Sequence, residues 1–490
     1  MKSTRFLLVL SLLFLSVVLL LPSCDGNGSP PAEDPPATDT VTDATNKAES
    51  DTTPDTQPEK PDVPRIVIIK PGQRRSTYRI MYDKNVASPQ IAEVDMLCAV
   101  LKNYTGCSIQ ALDSSKSADR EIIFNSDVRE ETRLMKAELA EGEYAIRAGI
   151  GTGGDGALYI AATTYRSAYA AMEYLMKTYY TTENGLCIPA DLDVKGTGEE
   201  YTMITADINK LRDPCIVVKD GVYYAYGTGW HCYKNTGGNL QGPWKDLGVV
   251  ASVANPDTDG GDHWAPEVHT YNGAYYMFTT YRSKTTDRHG CVIMKSDSPE
   301  GPFVEITNGH VTPAEWDAID GTLYVDPEGQ PWMVFVHEWV SMPDGNGSFA
   351  AAKLSDDLTH FISEPIELFK ARDPVWAVAG VTDGCWMHTT REGDLLMVWS
   401  NFDAQGYTVA VARSSNGRLD GEWIQEGLLY SKYMTNQYDG GHAMIFTDVD
   451  GQMYLSFHSP NAAEGNRKER PVFLAIEEKD GRLVWAESEK

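Results

Sequence analysis

The sequence predicts an all-β five-bladed propeller preceded by a smaller α/β domain. Two observations carry that expectation. After residue 210 one strand–turn–strand pattern recurs five times, as RDPCIVVKDGVYYAYGTG (212–229), WAPEVHTYNGAYYMFTTY (264–281), DGTLYVDPEGQPWMVFVHE (320–338), DGCWMHTTREGDLLMVWSN (383–401) and GHAMIFTDVDGQMYLSFHS (441–459). The copies lie roughly 50 to 65 residues apart, room for one four-stranded blade each. Before residue 203 the apolar spacing alternates between the period of a strand and that of a helix.

Residues 1–24 read MKSTRFLLVLSLLFLSVVLLLPSC. Lys2 and Arg5 precede a long apolar run that ends in small residues and a cysteine, the pattern of an export signal. Its length also suits a single membrane-spanning helix. Leu21-Pro22-Ser23-Cys24 resembles a bacterial lipobox. That resemblance implies cleavage before Cys24, lipidation of its sulfur, and an exported lipoprotein on a membrane facing the periplasm or cell exterior. Several acyl chains anchor stably where one is marginal. Residues 25–64 are rich in Pro, Thr, Asp and Glu and nearly lack large apolar groups, so they read as a disordered acidic tether.

Residues 65–203 read as an α/β accessory domain. RIVIIK and YRIMYDK have the composition of paired strands. Ser88-Pro89 is a helix start, Ile91, Val94, Leu97, Cys98, Leu101 and Tyr104 follow at helical spacing, and Gly106 stops the run. REIIFNS, EYAIRAG and GALYIAAT read as strands, the last followed by a helix with Ala168, Ala171, Met172, Leu175, Met176 and Tyr179 on its apolar side. GIGTGGDG lacks the Lys-Ser/Thr ending of a phosphate loop and reads as a loop between strands. The pattern resembles the non-catalytic α/β domain that precedes the catalytic domain of hexosaminidases and glucuronidases.

Residues 204–490 carry the repeats. Asp220-Gly221, Asn272-Gly273, Glu328-Gly329 and Asp450-Gly451 are hairpin signals between aromatic-rich strands. LQGPW (240–244), SPEGPF (298–303) and LDGEW (419–423) read as equivalent turns of successive blades. The first strand of a blade lines the central channel. The residues opening the five copies, Asp213, Glu267, Asp320, Asp383 and His442, are therefore expected to converge.

Composition narrows the function. A net charge of −28 disfavours binding nucleic acid through its phosphates, but does not repel a neutral polysaccharide. Every Trp and His lies at or after Trp230, and aromatic planes suit sugar stacking as well as core packing. Apart from Cys24, seven cysteines remain. Cys98 and Cys107 are close enough in sequence to pair, Cys215, Cys232, Cys291 and Cys385 read as buried thiols, and no CxxC spacing supports zinc.

RDP (212–214), HWAPEV (263–268), AIDGTLYVD (318–326) and YDGGHAM (438–444), in this order, resemble glycoside hydrolase family 43 over about residues 205–490. The resemblance implies a five-bladed propeller of inverting enzymes acting on arabinose- or xylose-containing plant polysaccharides, of α-L-arabinofuranosidase or β-xylosidase type. It implies Asp213 as general base, Asp320 as the carboxylate that tunes the acid, and a glutamate opening the fourth blade as general acid. Here Asp383 stands in that place, one methylene shorter. Glu338 in His337-Glu338-Trp339 is the spare acid. Trp264, Glu267, Glu338, Arg282 and Trp230 are candidate substrate contacts. No cofactor is required, and His442 resembles the channel histidine found near a structural calcium ion or channel water.

The chemistry asks for these carboxyls. Inversion needs an ionised base to activate water and a protonated acid for the leaving oxygen, roughly 6.5–9.5 Å apart. A retaining fructan-type enzyme would hold its pair at about 5–5.5 Å instead. The aspartate in place of glutamate also admits a propeller that binds carbohydrate without cleaving it.

Overall fold

The computed structural model describes residues 63–84, 89–463, 465 and 467–488. The expected signal and nearly all of the tether lie outside the described residues. The described chain falls within one unit, Asp62–Lys490.

The first part runs β1 (Arg65–Ile69), β2 (Arg75–Tyr82), α1 (Pro89–Thr105), β3 (Ser108–Asp113), β4 (Glu121–Phe124), α2 (Glu130–Ala137), β5 (Glu143–Ile150), β6 (Gly156–Ala162), α3 (Tyr165–Tyr179), β7 (Tyr180–Thr181), β8 (Gly185–Pro189) and β9 (Asp193–Thr197). A six-stranded sheet has the order β3-β2-β4-β6-β5-β9, and β1-β8-β7 form a separate small sheet. The β1 and β2 segments are strands as read, but they do not pair with each other; β1 pairs with β8 and β2 with β3 and β4. β4 is buried along its length, and a strand covered on both faces finds its partners by tertiary packing rather than by a hairpin turn. GIGTGGDG joins β5 to β6 as an antiparallel connection. Gly106, at φ +70°, ends α1 in the left-handed region that glycine adopts without strain. α3 begins with a capping box in which Thr164 accepts from the Ser167 amide. Cys98 and Cys107 are free thiols, not a disulfide.

Five further sheets follow. Their first strands are Cys215–Lys219, Trp264–Tyr271, Ala318–Val325, Asp383–Thr389 and Gly441–Thr447, and each opens an antiparallel run of successive strands. Each first strand touches the next, and the last touches the first, so the five close into a ring. The turns follow the dipeptides: Asp220-Gly221 and Asn272-Gly273 have positive φ at both residues, as a tight antiparallel hairpin demands. Strand β10 (Met203–Thr205) pairs with Arg470–Lys479 and completes the fifth sheet from the other end of the chain. The boundary read after residue 203 therefore cuts through a propeller strand. This pairing of the propeller's two ends in one sheet ties the ring shut.

The two parts share a core. Tyr433 and Met434, after the fourth sheet, are buried with the α1 and α3 side chains. Arg166 of α3 is the latch. Its guanidinium lies 5.1, 5.2 and 4.7 Å from the ring centres of Tyr169, Tyr201 and Trp485 and donates to the Met434 carbonyl at 3.2 Å. Replacing Arg166 with alanine removes a hydrogen bond and stacked cation contacts. It is expected to lower unfolding stability by about 2 kcal/mol. Urea unfolding reads this, and an unshifted midpoint would mean the latch carries no net energy.

Candidate active site

Four of the five first strands share one local irregularity. Their pairing register slips between Trp264 and Glu267, Ile319 and Thr322, Asp383 and Trp386, and Gly441 and Met444. Just past the start of each slip sits a left-handed residue: Ala265 (φ 43°), Asp320 (56°), Gly384 (45°) and His442 (56°). Asp213, at φ 54°, holds the same place ahead of Cys215. A bulge turns one side chain out of the strand's alternation, and non-glycine residues in this region store strain that the surrounding fold must support.

This register corrects the sequence reading. Asp213, Asp320 and His442 are equivalent positions, but Asp383 lies one residue earlier and Glu267 two residues later. Gly384 explains the shift in the fourth sheet. A Cβ there would come within 2.9 Å of the His442 ring. The left-handed position must stay bare beside His442, and the carboxyl comes from the preceding residue.

His442 is the hub. Its Nδ1 is 3.5 Å from Asp213 Oδ1 and 3.7 Å from Asp320 Oδ2. Burial disfavours its charge, but Asp213, Asp320, Asp383 and Glu267 together hold its pKa above the ordinary value. Asp213 also accepts from the Thr228 hydroxyl and lies 3.2 Å from His458 Nδ1. Burial pushes the Asp213 carboxyl up, yet His442, His458 and Arg212 outweigh it and hold it well below the usual carboxylate range. Asp320 accepts from the Gly384 amide at 2.9 Å. Burial raises its pKa, His442 and that amide pull it down, and the charges of Asp213 and Glu267 leave it raised. Asp383 accepts from the Tyr407 hydroxyl at 2.9 Å. Burial first, and the Asp320 charge second, push its carboxyl well above the usual range. One carboxyl is thus held ionised and another protonated, the division that acid–base chemistry at one site needs.

The remaining candidates separate. Glu267 is buried and bonded to His269 Nε2 at 3.1 Å. Glu338 belongs to a neighbouring group. It meets His289 Nδ1 at 3.2 Å, and His289 lies 4.4 Å, ring to ring, from Trp264. Arg282 is partly exposed beside Asp287 and Asp262. Trp230 is not a free face for a sugar. It is 2 % exposed, stacks on His263 at 3.8 Å and donates to Thr279 at 2.8 Å, so it supports the 263–265 turn.

Calcium takes oxygen donors. His442 Nδ1 faces two carboxyls, and the buried Nε2 on the other side has no protein partner among the described residues. That orphaned nitrogen fits a water molecule.

Three contributors escaped the sequence reading. Tyr407, His458 and Thr228 lie on second and third strands of their sheets or just after them, outside the blade openings. His458 is the last but one residue of the fifth repeat, but nothing in its spacing marks it. The Tyr407 ring lies 5.7 Å from His458 while its hydroxyl holds Asp383, so one residue braces both ends of the site.

Residues 207–480 match the family model Glycosyl hydrolases family 43. The crystal structure of an endo-arabinase from Bacteroides thetaiotaomicron is 35% identical, covering 58% of this chain and 100% of that one, with a TM-score of 0.50. A thermostable family-43 glycoside hydrolase of known structure is 20% identical with a TM-score of 0.50, covering 58% of this chain and 96% of that one, a likeness of fold. The probable arabinan endo-1,5-alpha-L-arabinosidase A of Aspergillus flavus is 23% identical over 292 residues, which are 54% of this chain and 86% of the relative. With a family match over more than half its length and a solved relative covered end to end, this chain belongs to glycosyl hydrolase family 43 and is a glycoside hydrolase.

Proposed function

We propose that this protein is an inverting glycosidase for arabinose- or xylose-containing plant polysaccharides, built on a five-bladed propeller. Asp213 is the general base, Asp383 the general acid and Asp320 the carboxylate that keeps the acid protonated. The observation that carries the reading is the opposed environment of two carboxyls at one hub, Asp213 beside His442 and His458 and Asp383 beside the Asp320 carboxyl. The arabinanase names of the relatives support the substrate class. The α/β part is an accessory layer, and residues 1–24 export the chain and anchor it through Cys24.

In this mechanism Asp213 takes a proton from water as the water attacks the anomeric carbon. Asp383 gives its proton to the departing glycosidic oxygen. Inversion follows because attack and departure occur on opposite faces. Tyr407 donates to Oδ2 of Asp383, which leaves Oδ1 to carry the proton toward the substrate. His442 holds the Asp213 and Asp320 charges together.

The full chain should hydrolyse nitrophenyl arabinofuranoside or xyloside, or arabinan or arabinoxylan, with inverted product configuration by proton NMR. Retained configuration, or no turnover of any of these, rejects the proposal. Tyr407→Phe tests the acid's setting. The Tyr407 hydroxyl lowers the Asp383 pKa, so its removal raises that pKa and moves the basic limb of the kcat profile to higher pH. Loss of orientation should also lower kcat by about tenfold. An unmoved basic limb would detach Tyr407 from the acid.

A further inference from the structure

We infer that His289 is a positioning residue for the substrate: it bridges Glu338 and Asp262 beside Trp264, and so holds together a wall that binds a neutral sugar unit of the polysaccharide. The inference rests on reading the protein as a polysaccharide hydrolase. The wall rises from the hub. Ala265 is the hub position of the second sheet, and its amide donates at 3.1 Å to the Thr228 hydroxyl that also holds Asp213. Trp264, the residue before it, is partly exposed. On the third sheet the Glu338 amide donates at 2.8 Å to the carbonyl of Asp317, three residues before Asp320. At about 3.3 Å per residue, Glu338 stands about 10 Å along the strand from the hub aspartate, on the side where the first strands begin. His289 lies between the two. Its ring is 4.4 Å from the Trp264 ring, its Nδ1 3.2 Å from Glu338 Oε2 and its Nε2 3.3 Å from Asp262 Oδ2.

The bridge needs a proton. A neutral imidazole has one N–H, and an ionised carboxylate only accepts. Both ring nitrogens of His289 face carboxyl oxygens, so an imidazolium satisfies both contacts and a neutral ring satisfies one. Burial disfavours the charge, but Glu338 and then Asp262 outweigh it and hold the His289 pKa above the ordinary value. The other charged groups around the ring are paired among themselves. Arg288 is with Asp317, and Arg282 is 3.0 Å from Asp287 and 3.9 Å from Asp262. His310 is pushed down to about 4, chiefly by burial, and adds no charge near neutral pH.

Two atoms of the wall are left for a ligand. The Trp264 indole N–H and Glu338 Oε1 have no hydrogen-bond partner among the described residues, and neither is sealed from solvent. One donates and the other accepts. Sugar hydroxyls do both, and the C–H face of a sugar packs on an indole. Glu338 is 6 % exposed, and its charge is balanced by His289, so the wall calls for a neutral ligand rather than a cation. Loss of the His289 proton breaks one of the two bridges. Glu338 and Asp262 are then no longer tied to each other across the edge of Trp264.

The test reads the Kd of arabinotriose and of xylotriose by calorimetry across pH, in the full chain carrying Asp213→Asn so that the sugar is bound and not cut. His289 keeps its proton below its raised pKa and loses it as pH climbs through that value. Kd should therefore rise about tenfold across that transition, above the ordinary imidazole value. Adding His289→Gln should weaken binding at low pH and abolish the step. Adding Asp262→Asn, at a partly exposed position, removes one anion from beside the imidazolium, so the step should move to lower pH. A histidine that only packs would give neither result. No binding of either trisaccharide, a Kd without a step, a step that survives His289→Gln, or one that Asp262→Asn leaves in place overturns the inference. The hydrolase reading fails separately, when the wild-type chain turns over no substrate or retains configuration. The Kd profiles still decide the role of His289 in that case.

Discussion

Asp213→Asn is expected to lower kcat by about 10³-fold while the protein stays folded, the scale of a lost general base. Asparagine keeps an oxygen to accept from the Thr228 hydroxyl. It cannot take a proton from water. The far-UV circular dichroism should match the wild type, since the left-handed backbone at Asp213 is also accessible to asparagine. The measurement is kcat on any substrate the wild-type chain turns over, with the circular dichroism as control. Wild-type turnover by this variant would remove Asp213 from the base role. The same assignment predicts the acidic limb of the pH profile. Because His442, His458 and Arg212 hold Asp213 below the usual carboxylate range, activity should persist as pH falls through that range and be lost only below it.

The second large effect concerns the acid. Asp383→Asn should lower kcat about 10²- to 10³-fold on substrates with poor leaving groups. It should cost little on nitrophenyl glycosides, whose leaving group departs without protonation. Glu338→Gln breaks the contact with His289 but leaves the proton donor in place, so its effect should be small and similar for both substrate types. The reverse pattern would transfer the acid role to Glu338. Asp383 is favoured on geometry. It shares the hub with Asp320 and His442, whereas Glu338 faces His289 and the Trp264 side. With Asp383 buried beside another anion, the basic limb of the profile should lie above the usual carboxylate range, and activity should fall as pH rises through it.

The repeats were legible because their information is local. Asp220-Gly221 and Asn272-Gly273 demand tight hairpins, and the aromatic and β-branched residues around them suit pleated strands. α1 and α3 were legible from apolar spacing and from end signals such as Gly106. α2 was not read, because its eight residues carry few apolar side chains to reveal a period. β1 and β2 were recognised as strands but given the wrong partner. Pairing within a sheet that mixes parallel and antiparallel neighbours is set by crossovers, and no dipeptide reports it.

The site divides along the same line. Local sequence signals sufficed to bring Asp213, Asp320, Asp383 and His442 to one hub, because each stands at the start of a repeat and the repeats close into a ring. Their ranking was a matter of three-dimensional packing. The register slip put Asp383 one place ahead of its counterparts, since a side chain at Gly384 would strike His442. Tyr407, His458 and Thr228 reached the hub from other strands, and Trp230 withdrew into the core. A hairpin is written in a few adjacent residues, whereas a carboxyl's charge state depends on burial and on neighbours hundreds of residues away, which meet only once the ring has closed.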